Sequence, residues 1–208
     1  MEREEVIHCQ NVVLAADPVA SQSLVESSLG VLGEEPRLSL PEGRGSICLY
    51  FGFDGPPPIL DPLLVLNGES QLYEGGSAGA TGKPVINNIC FPSQVSSAYA
   101  PAGKSLASVT VVPQPADGVS FYSDEDLEQA VRMQLQAWFK KEKFPECDVA
   151  AWQLLRIYRI AYAQPAQTPP YARDLEVALG GRVYVCGDHR GTATLNGAVN
   201  SGKRAAEA

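Results

Sequence analysis

VYVCGDHRGTATLNGAVNSGKRAA, residues 183–206, is the stretch whose reading decides the fold. An apolar run from Val183 to Cys186 stops at Gly187-Asp188. A short polar loop follows. Asn196-Gly197-Ala198 then opens a segment with small residues at Ala198, Gly202 and Ala206. The pattern predicts a strand, an acidic turn and a helix that starts on glycine. The first turn of a helix leaves N–H groups without intrahelical partners and carries the positive end of the macrodipole. Such a start suits an anionic or carbonyl-rich ligand. Small side chains four apart share one helix face and let it approach a sheet closely. The plain alternative is a β-turn-α unit packed on glycine.

The stretch resembles the C-terminal flavin-binding motif of FAD-dependent amine oxidases, protoporphyrinogen oxidases and phytoene-desaturase-like oxidoreductases. In that family a strand ends in Gly-Asp. About ten residues later comes a Ser/Thr-x-Asn/Asp/Glu-Gly-Ala-x-x-Ser-Gly helix. Thr194-Leu195-Asn196-Gly197-Ala198-Val199-Asn200-Ser201-Gly202 is similar to it throughout. The resemblance implies that the acid of Gly187-Asp188 holds the ribityl chain of FAD. It also implies that the backbone of Asn196, Gly197 and Ala198 faces the ribityl and pyrimidine end of the flavin. Some relatives attach FAD to cysteine. Residues 188–208 contain none, so the implied FAD is non-covalent.

The rest of the chain resembles the family more weakly. Val12-Val13-Leu14-Ala15-Ala16-Asp17-Pro18 is similar to the strand that leads into the substrate domain. Ile86-Asn87-Asn88-Ile89 and the run from Val95 to Lys104 look like substrate-domain strands and loop of a bacterial and plastid branch. One family element has no counterpart. The family opens on a strand–GxGxxG–helix unit that cradles the FAD pyrophosphate. Gly43-Arg44-Gly45 is followed by Ser46-Ile47-Cys48, with no third glycine. The sequence therefore looks like the C-terminal half of a flavoenzyme, with an N-terminal FAD-binding half expected in the complete enzyme. The other reading is a truncated, cofactor-free fragment acting as a binding or scaffold module.

The implied architecture is α+β (mixed α/β): the C-terminal part of a Rossmann-type FAD domain plus a strand-rich substrate domain. Residues 1–33 are expected to be a remnant of the FAD-binding domain. Residues 34–175 form the substrate domain, mainly antiparallel sheet plus one long helix. Residues 176–208 form the C-terminal FAD-binding βα unit. The first and last units belong together, so the two ends of the chain are expected to lie close in space.

Composition sets outer bounds. The chain has 208 residues, 45% apolar and 19% charged, enough for a sizeable core. A net charge of −8 argues against nucleic acid or an anionic membrane as a general partner. No apolar run approaches the ~20 residues that span a bilayer. Met1-Glu2-Arg3-Glu4-Glu5 lacks the basic and apolar regions of a signal peptide. A small-molecule substrate is the implied partner. The five cysteines, Cys9, Cys48, Cys90, Cys147 and Cys186, are scattered, with no C-x-x-C and no close Cys/His spacing. No metal site is expected. Buried reduced thiols are, and they favour a reducing intracellular compartment such as cytoplasm or plastid.

Along the chain, Val6 to Ala15 reads as a strand and Asp17-Pro18 as an N-cap with proline at the first helical position. The helix runs to Gly30 and buries Val19, Leu24, Val25 and Leu29. Ile47, Leu49, Phe51 and Phe53 alternate with Cys48, Tyr50 and Gly52, a half-buried strand. Leu63–Leu66, Val85–Phe91 and Leu106–Val112 are further strands, and their succession without helices indicates an antiparallel sheet. Ser123-x-x-Asp126 begins a helix with Leu127, Val131, Leu135 and Trp138 on one face. Lys140, Lys141 and Lys143 complement its C-terminal dipole. Leu154–Ala163 reads as a strand, with a helix as the alternative.

Three other features invite a site. Gly75 to Lys83 is glycine-rich, but its spacing fails the P-loop pattern and Pro84 stands where Ser/Thr is needed. It reads as a hairpin loop. His189 follows Gly187-Asp188 and reads as a solvated loop histidine, or else as a neighbour of the flavin. Arg156 and Arg159 lie near Tyr158 and Tyr162. In a flavin enzyme's cavity such residues orient a carboxylate or pack an aromatic substrate. The plainer reading is a polar strand face with core tyrosines. No catalytic residue is named, because in flavin oxidoreductases the isoalloxazine carries the hydride chemistry.

Overall fold

The alternation of Ile47, Leu49, Phe51 and Phe53 builds the central strand of the larger of two units. The computed structural model describes residues 6–32, 38, 40, 42–68, 85–113, 118–120, 122–171 and 174–208. In chain order the elements are β1 (Val12–Leu14), α1 (Pro18–Leu32), β2 (Gly43–Asp54), β3 (Leu64–Leu66), β4 (Ile86–Cys90), α2 (Pro92–Val95), β5 (Lys104–Val111), α3 (Asp124–Trp138), β6 (Gln153–Pro165), β7 (Ala178–Gly180), β8 (Val183–Val185) and α4 (Leu195–Glu207). The fold is mixed α+β. It divides into a discontinuous unit, Met1–Arg44 with Tyr162–Ala208, and a continuous one, Gly45–Ala161. The glycine-rich Gly75–Gly82 loop lies outside the described residues.

The continuous unit is a five-stranded sheet in the order β3-β4-β5-β2-β6. The β3–β4, β4–β5 and β5–β2 pairs are antiparallel, as the run of strands implied. Ile47, Leu49 and Phe51 are fully buried and Phe53 nearly so. Helix α3 covers this face with Leu127, Val131 and Leu135. Its start is a reciprocal cap: Ser123 Oγ accepts from Asp126 N–H at 3.1 Å and donates to Asp126 Oδ2 at 2.8 Å. Helix and sheet are tied by Gln134, whose Oε1 accepts from Val85 and Ile86 N–H at 2.9 Å each. Trp152 closes the end of the core, stacked on Phe53 at 4.3 Å between ring centroids. The three lysines fall outside α3, which has no basic residue in its last turn. Phe139 ends the helix because its ring turns into the aromatic cluster beside Phe91 and Phe144.

The discontinuous unit joins the two ends of the chain in one sheet, ordered β1-β8-β7. β1 runs parallel to β8, pairing Val12 with Val183 and Leu14 with Val185. β1 is three residues long, much shorter than the apolar run around it. Residues 6–10 are exposed, so apolarity alone did not recruit them. Asp17 Oδ1 caps α1, accepting from Val19 and Ala20 N–H at 3.0 Å each. α1 continues to Leu32, beyond Gly30. Its buried face is Pro18, Ser21 and Val25, whereas Val19 and Leu24 stand about half exposed. Of the expected apolar face, Val25 is buried and Val19 and Leu24 are not, because three- and four-residue steps from Pro18 select Ser21 and Val25; the Leu29 side chain lies outside the described residues.

Candidate functional site: the Gly187-Asp188 turn and the start of α4

β8 ends at Val185, and the chain then turns through Cys186 and Gly187 into a 3-10 turn, Asp188–Arg190. Gly187 has φ 152°. A Cβ there would stand 2.5 Å from two atoms of the His189 ring. Both the backbone and the ring therefore require glycine. Ser201 fastens this turn to α4. Its hydroxyl accepts from Gly187 N–H at 2.9 Å and lies 2.8 Å from the carbonyls of Gly187 and Ala198.

The helix starts one residue earlier than the sequence pattern implies, at Leu195, because Thr194 is the N-cap. Thr194 Oγ1 accepts from Gly197 N–H at 2.9 Å, and Thr194 O accepts from Ala198 N–H at 3.0 Å. Those two donors are spent within the turn. The first-turn N–H groups without an intrahelical or capping partner are those of Leu195 and Asn196. Gly197 has a steric part instead: a Cβ on it would run into the carbonyl oxygen of Thr192. The buried stripe is Gly197, Ser201 and Ala205. It lies one position before the expected Ala198, Gly202 and Ala206, of which Ala206 is exposed and Gly202 faces open space. Both stripes are small and spaced by four. The Thr194 cap and the close approach at Thr192 select between them.

Asp188 keeps about a third of its side chain exposed, so its carboxylate is available to a ligand. His189 is not the solvated loop residue its surroundings suggested; it is 2% exposed. Its Nδ1 lies 3.9 Å from Asp188 Oδ1, and its Nε2 is buried with no hydrogen-bond partner among the described residues. Burial, helped by the charge of Arg190, holds the imidazole below its ordinary pKa despite Asp188 and Asp17. It is therefore neutral at pH 7. Tyr162 is pushed up by burial and by the Asp188 charge, so its phenol remains a donor. Nothing in the local sequence announces the burial of His189. The only sequence signal for Thr194 and Ser201 was their place in the motif.

Two arginines lock the unit around this turn. Arg190 Nε donates to Glu176 O at 3.0 Å, and its Nη2 donates to the same oxygen. Arg204 on α4 donates to Leu175 O at 2.9 Å and to Arg190 O at 2.6 Å. Among the other candidates, Arg159 is structural. Its guanidinium pairs with Asp124 at 2.5 Å and donates to Val119 O. His8 is exposed. All five cysteines are free, but only Cys186 is buried; Cys9 is exposed and the other three are half-buried. Cys48 on β2 and Cys90 on β4 point to the face away from α3, while Cys9 and Cys147 lie outside any strand. Among the described residues no group of three or more His, Cys, Asp or Glu is placed to hold a metal, and no helix is long and apolar enough to cross a membrane.

The turn, the acid and the capped helix reproduce in three dimensions the order of the resembled motif. The family model of the flavin containing amine oxidoreductases matches residues 1–208. The chain belongs to this family. No curated protein matches it. Among solved structures, an oxidoreductase from Methanosarcina mazei is similar at TM-score 0.58 and 14% identity, covering 98% of this chain and 44% of that one. An Exiguobacterium sp. protein assigned as a protoporphyrinogen oxidase is similar at TM-score 0.60 and 20% identity, covering 95% and 40%. Reduced UDP-galactopyranose mutase is similar at TM-score 0.55 and 13% identity, covering 89% and 37%. At such identities the likeness is one of fold. This flavin-family chain spans less than half the length of each of these structures.

Proposed function

We propose that the chain is the portion of an FAD-dependent oxidoreductase, of amine-oxidase or desaturase-like type, that carries part of the flavin site and the substrate-binding sheet. The discontinuous unit serves FAD and the unit Gly45–Ala161 serves a small-molecule substrate. One observation carries this reading: in a flavin-family chain, the parallel β1–β8 pair runs out into Gly187-Asp188 beside a Thr194-capped helix. Ligands of open parallel sheets bind beyond the carboxyl ends of the strands. The residues there fit a flavin's polyhydroxyl chain. The Asp188 carboxylate accepts hydrogen bonds from hydroxyls, and the Tyr162 phenol stays protonated beside it. The N–H groups of Leu195 and Asn196, at the positive end of α4, suit carbonyl oxygens or an anion. The unmet Nε2 of His189 lies in the same turn and is a buried polar atom still owed a partner.

When bound, the flavin supplies the capacity to accept a hydride from substrate. The chain's own work is to hold and orient. Ser201 pins the Gly187 turn so that Asp188 is presented at a fixed angle. Gly197 lets α4 close onto Thr192 without a side chain between them.

Equilibrium dialysis of the chain against FAD, with Asp188→Ala and the exposed control Asp61→Ala, tests the reading. A hydrogen bond to a charged group is worth about 1.5–3 kcal/mol, so Asp188→Ala is expected to weaken binding roughly ten- to a hundredfold. The control is expected to change nothing. Binding is expected to be weak, because no GxGxxG cradle contributes to it. Equal retention in the two variants, or no saturable binding at all, overturns the proposal.

A further inference from the structure

The carboxyl end of the parallel β1–β8 pair is lined by groups that accept hydrogen bonds. The His189 ring folds back over Gly187 and leaves no room there for a Cβ. Its side chain is 1% exposed, and its Nδ1 lies 3.9 Å from Asp188 Oδ1. The charge of Asp17, in the turn after β1, also acts on the ring. A ring nitrogen that faces a carboxylate keeps its proton. The neutral imidazole therefore carries hydrogen on Nδ1 and a bare lone pair on Nε2. That Nε2 is buried with no partner among the described residues. A buried acceptor of this kind destabilises the fold until a donor reaches it. The donors nearby are mostly spent. α1 starts on Pro18, which has no N–H, and Asp17 Oδ1 takes the N–H groups of Val19 and Ala20 at 3.0 Å each. Arg190 and Arg204 donate to the main-chain carbonyls of Glu176, Leu175 and Arg190.

We infer that His189 is a ligand-binding residue of the flavin site: its Nε2 accepts a hydrogen bond from a hydroxyl of the ribityl chain, and with Asp188 and Asp17 it makes this end of the sheet select the uncharged polyhydroxyl chain against a phosphate. The donor and acceptor inventory selects the group. A hydroxyl donates equally well to a bare ring nitrogen and to a carboxylate. A phosphate dianion has nothing to donate and meets two negative charges, and like charges side by side are costly. Burial keeps the imidazole neutral, so it adds no compensating positive charge. The Leu195 and Asn196 N–H groups of α4 are left for the ring carbonyls of the flavin. This rests on the flavin reading above for the identity of the ligand. It adds to the Gly187-Asp188 motif two residues, His189 and Asp17, and a direction of choice among flavins.

The test uses the whole chain and three flavins, titrated by flavin fluorescence at neutral pH. Riboflavin carries the hydroxyl chain, lumiflavin has a methyl group in its place, and FMN is riboflavin with a terminal phosphate. Riboflavin is expected to bind about tenfold or more tightly than lumiflavin, as hydrogen bonds to the chain provide. FMN is expected to bind about tenfold more weakly than riboflavin. In nitrogen-labelled protein, riboflavin is expected to move the bare Nε2 resonance of His189 upfield and lumiflavin to leave it in place. The exposed His8 is the internal control. His189→Asn, whose amide stops near the Nδ1 position, is expected to lose about three- to tenfold in riboflavin affinity with lumiflavin unchanged. His189→Gln, whose amide reaches the Nε2 position, is expected to keep most of it. Asp17→Asn keeps the cap of α1, removes the charge and is expected to narrow the gap between riboflavin and FMN. Circular dichroism checks that each variant is folded, and the resonance measurement needs no variant. Riboflavin and lumiflavin binding alike, FMN binding as tightly as riboflavin, or a His189 resonance that riboflavin leaves in place overturns the inference while the flavin reading stands. Absence of saturable binding of all three flavins overturns both.

Discussion

Trp152 sits among Phe51, Phe53, Phe91 and Phe139, in a core that runs from β2 across α3. The second core cluster, in the discontinuous unit, consists of Val177, Cys186 and Ala205, with Tyr184 against it. The first unit is held by apolar area removed from water. The second is held by hydrogen bonds with exact partners: Ser201 to Gly187, Arg204 to Leu175 and Arg190, Arg190 to Glu176. Area is forgiving, because a lost methylene costs a fraction of the whole. A carbonyl left without its donor costs nearly the full penalty of burying it. A unit built to meet a ligand can rest on such directional contacts, since they set the position of groups more tightly than packing of a few small side chains does.

Trp152→Ala tests the contrast most strongly. Removal of a buried aromatic costs about 3–5 kcal/mol, read as a fall in the urea midpoint. Hydrogen exchange is expected to rise in β2, β4 and β5 and to stay unchanged in α4. Equal loss of protection in α4 would merge the two units energetically and end the comparison. Next, Arg204→Ala removes a charged donor from two carbonyls, a loss of about 1.5–3 kcal/mol. Exchange is expected to accelerate in residues 174–178 and α4, with β2 and β5 unmoved. Thr194→Ala removes the cap of α4 at about 1 kcal/mol, and Thr194→Ser is expected to restore most of it. The readout is fraying of the first turn of α4 in the same exchange experiment.

The smallest effect at neutral pH is that of His189, because it vanishes there. Burial lowers the folded-state pKa of this imidazole. Between the ordinary value near 6.5 and the lower folded value, the unfolded chain binds a proton that the folded chain refuses. Stability is therefore full above that window and falls as pH drops through it. His189→Gln is expected to flatten this dependence in the discontinuous unit, measured as urea midpoints from pH 7 to 5. An identical pH slope in the variant would assign the acid sensitivity to other groups.

What the sequence revealed follows the same division. β2 and α3 were legible because each buries one face against a large core, and a period of two or of 3.6 records that burial directly. The Ser123 cap was legible because it is local. The stretch around Gly187-Asp188 was legible as strand, turn and helix, and its resemblance to flavin proteins pointed to the family. The choice of Gly197, Ser201 and Ala205 over the adjacent small stripe was not. It depends on a steric contact with Thr192 that no periodicity encodes. The burial of His189 was hidden for a related reason: Gly-Asp-His-Arg reads as polar loop, yet the turn folds the ring back over Gly187. In α1, two exposed apolar positions out of step with the core made the pattern misleading, and Val19 and Leu24 were assigned inward wrongly, whereas Val25 is buried as expected.

The pairing of Val12 with Val183 also dictates an order of events. Nearly the whole chain lies between the two partners. The cost of closing so long a loop grows only logarithmically, about 0.6 kcal/mol for each doubling of length, so the delay is one of time more than of stability. Folding rates fall as contacts become more distant in sequence. During synthesis Gly45–Ala161 is complete before β8 exists, and its collapse draws positions 45 and 161 into one folded body, shortening the search that remains. Until then β1 waits as a short apolar segment, Val12 and Val13 without their neighbour strand. The hazard of the architecture is concentrated in that interval, when the unmatched edge of β1 is open to the wrong strand from another molecule.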